Sequence, residues 1–99
     1  MTEIQALQTA VGKGKALYRA TSRDGKVAHR TSTRDYTHAV EVYLGDDNYW
    51  VTERGHDPAF YIMSFHRDAD TARNAANRWK DRFTAAVVEA QLITDRRSA

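Results

Sequence analysis

Eight apolar residues in the last third of the chain, Ala69, Ala72, Ala76, Trp79, Phe83, Ala86, Ala90 and Ile93, follow at steps of three, four, three, four, three, four and three. That alternation keeps them on one face of an α-helix and predicts a single long helix over residues 68–93. Asp68 or Asp70 is placed to cap its first turn, where a carboxylate accepts from orphan amides and suits the helix dipole. At 1.5 Å per residue the seam runs ~37 Å, about twice the ~17–20 Å of an ordinary strand. A helix of that length overhangs any small sheet beneath it. Val87, Ala90 and Ile93 fall on the overhang, which marks them as the expected contact with a protein partner or a second copy of the chain in a homodimer.

The rest of the chain reads as a short helix followed by strands. Ile4, Leu7 and Val11 recur at helical spacing, so a short amphipathic helix is expected over residues 2–12, broken by Gly12 and Gly14. A sheet is expected over 15–65. Leu17 to Thr21 and Val27 to Thr33 flank Asp24-Gly25, a pair suited to the positive dihedrals of a tight hairpin, and the polar second strand suits an edge. Tyr36 to Tyr43 alternates, with Val40 and Val42 on one face and Glu41 on the other. Beyond the Gly45-Asp46-Asp47-Asn48 turn, Tyr49 to Thr52 is rich in β-formers. Ala59 to Met63, apolar on both faces, reads as a central or doubly covered strand. The fold class is thus α+β: an antiparallel meander of four or five strands against one long C-terminal helix, with a short N-terminal helix. Residues 94–99 form a polar tail, and residues 1–99 one domain.

Ninety-nine residues suit a single core. Fifteen are alanine, which keeps that core thin. No run approaches the ~18 apolar residues that cross a bilayer. Met1 to Gln5 carries an acid where a signal peptide carries a base, so a cytoplasmic location away from membranes is expected. Without cysteine the chain has no disulfide, thiolate nucleophile or thiolate metal ligand. The net charge of +2 is small, but it is unevenly spread. Lys13, Lys15, Arg19, Arg23, Lys26, Arg30 and Arg34 stand against one acid, Asp24, whereas residues 35–57 carry six acids and one base. A basic first hairpin of this kind can lie along a phosphate backbone or enter a major groove. Solvent-facing arginines also serve simply to protect a sheet edge.

Other constellations read as structural. His29 and His38 on neighbouring strands, or the His66-x-Asp68-x-Asp70 run, do not fix the three or four converging ligands of a zinc site, and Asp68 and Asp70 suit a helix cap. Ser64 and His66 share a strand face, as a nucleophile and base would, but without a glycine-flanked elbow or an orienting carboxylate. Val11-Gly12-Lys13-Gly14-Lys15 lacks phosphate-loop spacing. No catalytic residue, cofactor or metal is expected.

Three resemblances follow from particular residues. Arg30 to Val40 (RTSTRDYTHAV), followed by a strand and an alanine-rich helix, resembles a segment of small uncharacterised proteins of actinobacterial bacteriophages and mobile elements. The resemblance covers about a fifth of the chain and implies a setting inside a host cell, with a host protein as partner. Ala72-Arg73-Asn74-Ala75-Ala76 is similar to the final helix of double-stranded-RNA-binding domains, although acids replace their basic helix start. Ser64-Phe65 and the helix reaching Trp79 resemble, more loosely, the arm-binding domains of phage integrases. The reading is of a non-enzymatic module that binds a protein through its helix end; the alternative is nucleic-acid binding through the first hairpin.

Overall fold

The computed structural model describes residues 3–11 and 13–95. Within them the chain forms α1 (Glu3–Val11), β1 (Ala16–Thr21), β2 (Val27–Ser32), β3 (His38–Leu44), α2 (Tyr49–Thr52), β4 (Ala59–His66), α3 (Ala69–Trp79) and β5 (Thr84–Thr94). The α+β class and an antiparallel sheet within the expected four or five strands agree with the sequence, although only four of the five are strands expected there. The expected residues 2, 12 and 96–99 lie outside the described residues.

The expected 68–93 helix is corrected. α3 stops at Trp79, and Thr84 to Thr94 is a strand. The helical seam is real as far as Trp79: Ala72 and Ala76 are fully buried and Asp68 caps the start, accepting from Thr71 N–H at 2.7 Å. Lys80-Asp81-Arg82 then turns the chain, with the N–H groups of Arg82 and Phe83 both donating to Trp79 O. Beyond it Thr84, Val87, Val88, Ile93 and Thr94 are β-branched and stiff at χ1, which favours the pleated backbone. Apolar residues on both faces of this strand let helical spacing find Ala86, Ala90 and Ile93 by coincidence.

The second correction follows from the first. The sheet order is β2-β1-β5-β3-β4, so the last strand enters the middle and the sheet is no meander. β5 pairs antiparallel with β1 and β3. β4, expected to be central or covered on both faces, is an edge strand, while β2 lies at the other edge as its polar sequence suggested. Residues 49–52 form the short helix α2 rather than a strand.

Side-chain alternation gives the sheet two faces. Val40, Val42 and Leu44 of β3 join Ala85 and Val87 of β5 beneath Ala72, Ala75 and Ala76 of α3. Alanines on the helix let it lie close to the sheet, and Trp79 and Phe83, ring centroids 5.6 Å apart, fill the space at its far end. α1 packs on β1 and β2, where Val11 and Leu17 are buried. On the face opposite α3 lie Tyr18, Ala39, Glu41, Phe60 and Phe65, by their register with one another across the sheet.

That face is closed by rolling. The outer strands β2 and β4 touch although three strands separate them. The tip of the first hairpin ties the roll together. Asp24 accepts from Phe60 N–H of β4 at 3.0 Å. Glu41, only 1% exposed, accepts from Arg23 N–H at 2.8 Å and from its Nε at 2.7 Å, with a second guanidinium nitrogen 2.7 Å away. The Arg23 guanidinium also lies 4.4 Å from the Phe60 ring centre. Gly25 has φ +89, the left-handed conformation that the Asp-Gly turn requires.

Candidate functional site

The seven bases of the first hairpin are dispersed by the fold. Lys15 precedes β1, Arg23 sits in the turn and Arg34 follows β2, so these three lie outside both strands. Arg30 lies opposite Tyr18 and Arg19 opposite His29, which sends Arg19 and Arg30 to opposite faces. Arg19 donates from Nη2 to Gln91 Oε1 at 2.9 Å, Arg23 is bound to Glu41, and Lys26 lies 5.3 Å from the Tyr61 ring centre. Lys13 and Lys15 are exposed. The tip of the hairpin is fastened to β3 and β4.

Two of the seven converge elsewhere. At the end of the sheet where β2 leaves and β3 begins, Arg30 and Arg34 meet Arg67, just past β4, around a cleft of about 770 Å³. Thr33, Asp35, Tyr36, Phe65, His66 and Thr71 complete its walls. The loop before β3 is fixed to the end of β4 by two hydrogen bonds: Thr37 N–H donates to His66 O at 3.0 Å and Thr37 Oγ1 to Arg67 O at 3.0 Å. Its aromatic floor is continuous. Tyr36 makes an edge contact with Tyr18, centroids 5.2 Å apart, and a tilted one with Phe65 at 5.9 Å. The Arg30 guanidinium covers Tyr36 at 5.4 Å from its centre.

The electrostatics of the cleft favour an anion. Among the described residues the Arg34 side chain has no ion-pair partner, and Arg30 engages only the Tyr36 ring. Arg67 pairs loosely with Asp68 at 3.4 Å, both side chains being half exposed or more, so the pair is well screened. Asp35 accepts from Tyr18 OH at 3.1 Å. Three guanidinium groups thus face two carboxylates. Burial first, and then the positive charge of Arg78, hold His66 below the usual imidazole pKa, with Asp68 opposing them. His66 is therefore neutral near pH 7.

His66 Nε2 and Ser64 Oγ are 2.7 Å apart, as their shared strand face anticipated. Among the described residues no carboxylate holds the other ring nitrogen at hydrogen-bond distance, so the pair lacks the orienting third member of a nucleophile relay. His29 and His38 are not neighbours, since β1 and β5 run between their strands; His38 instead pairs with His66. Among the described residues no three histidine or acidic side chains converge as metal ligands. Of the overhang residues, Val87 packs into the core, Ala90 pairs with Ala20 inside the sheet and Ile93 is 42% exposed. They belong to β5 and not to an overhanging helix end.

Sequence reasoning missed Arg67, Tyr36 and Phe65 as partners of Arg30 and Arg34. The pairing of β3 with β4 brings them together, and only Ser64-Phe65-His66-Arg67 at the end of a β-rich run hinted at it. No family model matches the chain, and no curated protein or solved structure is similar to it. No helix of the described residues is long and apolar enough to cross a membrane.

Proposed function

We propose that the protein is a non-enzymatic module that binds single-stranded nucleic acid through the Arg30, Arg34 and Arg67 cleft. The convergence of three arginines from two segments distant in sequence on one aromatic-floored cleft carries this reading. Guanidinium groups bind phosphate oxygens through fixed pairs of donors, and aromatic faces beside a basic groove accept unstacked bases. A duplex is disfavoured because the hairpin tip is tied to β3 and β4.

The test is binding of labelled single- and double-stranded oligonucleotides at several salt concentrations, for the natural protein and for Arg30→Ala, Arg34→Ala and Arg67→Ala. Three phosphate contacts give a slope of log K against log salt of about −2 for a single strand, and each substitution lowers its magnitude by roughly 0.7. No binding at low salt, or a slope unmoved by the three substitutions, removes this reading.

A further inference from the structure

A second cavity lies on the α3 side of the sheet, at the other end of the helix from the arginine cleft. It holds about 520 Å³ between β4 and the last turn of α3, and Leu44, Tyr61, Met63, Trp79 and Phe83 form most of its wall. Met63 stands there because of an irregularity in β4. Val40 pairs with Ser64 and Glu41 with Ile62, which leaves Met63 as the extra residue of a bulge. Bulges re-aim side chains, and they recur beside functional sites. Met63 keeps 40% of its surface exposed although it lines an apolar wall. A thioether is flexible and polarisable, and so adapts to a varied apolar guest.

The rim is positive. Arg82 lines the groove, and Arg78 lies beside it against Trp79, with Asp81 in the same cluster and His56 on the opposite wall. Neither Arg78 nor Arg82 forms an ion pair with a described residue. An apolar trough with the Arg82 guanidinium on its lip and Arg78 in the adjoining hollow is complementary to a carboxylate-bearing guest. We infer that this groove receives an acidic peptide segment of a partner protein, which inserts one large apolar side chain against Met63 and Trp79 and sets carboxylates on Arg78 and Arg82. This interaction is independent of the nucleic-acid reading and uses none of its residues.

The probe is a set of synthetic 12-residue peptides with one central Leu or Phe flanked by Asp and Glu. Matched peptides carry Lys for the acids, or Ala for the anchor. Binding is read by fluorescence polarisation and by the Met63 methyl signal. Acidic anchored peptides are expected to bind and to shift that signal; the Lys and Ala peptides are expected to bind at least tenfold more weakly. Met63→Glu and Arg82→Glu, both at exposed positions, are each expected to weaken binding tenfold or more, with unchanged circular dichroism. Arg34→Ala is expected to leave it intact. The inference is overturned by absence of binding at millimolar peptide, by equal binding of the Lys peptides, or by self-association that Met63→Glu abolishes, which would make a second copy the occupant. An oligonucleotide that displaces the peptide and shifts Met63 would likewise overturn it.

Discussion

Arg23→Ala removes the guanidinium that holds Glu41 at 2.7 Å. The carboxylate left behind is 1% exposed and keeps only the backbone N–H of residue 23. Breaking a fully buried pair costs about 3–5 kcal/mol, because one charge is left desolvated and unpaired. Arg23 keeps 57% of its side-chain surface in water, so its attraction for Glu41 is partly screened and the cost falls. The backbone donor that remains lowers it again. About 2 kcal/mol is expected, which for a domain of this size lowers Tm by roughly 8–16 °C. The cation–π contact with Phe60 contributes about 0.5–1 kcal/mol within that figure. Denaturant unfolding gives the difference directly. A second variant isolates the cause: Glu41→Leu in the Arg23→Ala background removes the stranded charge and is expected to recover most of the loss. A loss below about 0.5 kcal/mol refutes the reasoning, since that is the range of ordinary surface substitutions. A double variant no more stable than Arg23→Ala refutes it as well.

Two further outcomes test other parts of the structure. Val87→Ala in the core cluster is expected to cost about 1.5–2 kcal/mol, whereas Ile93→Ala, at a position 42% exposed, stays within about 0.5 kcal/mol; comparable losses in denaturant unfolding would speak against β5 as placed. His66 is held below the ordinary imidazole value of 6.5 by burial and Arg78. The unfolded chain therefore binds the proton more readily than the folded one. Stability is full above 6.5 and falls as pH drops through the lowered folded value. An NMR titration is expected to place the His66 midpoint below 6.5, and His66→Asn to flatten the stability profile in that window; a midpoint above 6.5 contradicts the burial argument.

The local punctuation of the chain was legible. Asp24-Gly25 forms the expected hairpin turn, Asp68 caps a helix, and polar β2 lies at an edge. The failures share a physical origin. In Ala69 to Ile93 both helix and central strand accept alanine and valine on every side, so periodicity alone did not separate them. The polar triplet Lys80-Asp81-Arg82 and the β-branched residues after it were the better guide. Tyr49 to Thr52 has strand propensity yet forms a helical turn, its Val51 and Thr52 amides donating to Asn48 O. Tertiary context overrides propensity over four residues. For the candidate cleft, Arg30 and Arg34 were legible as basic, but Arg67 joins them through the pairing of β3 with β4, a non-local event that spacing does not encode.

The central position of β5 has a consequence for how the chain reaches its fold. The β1–β2 and β3–β4 hairpins each close locally, but they share no ladder with one another until Thr84–Thr94 is threaded between them. Until β5 pairs, each hairpin has an open inner strand edge. Joining them brings Ala20 to Ala90, a loop closure of long sequence span that slows folding. Unpaired edges of that kind are templates for pairing with another chain.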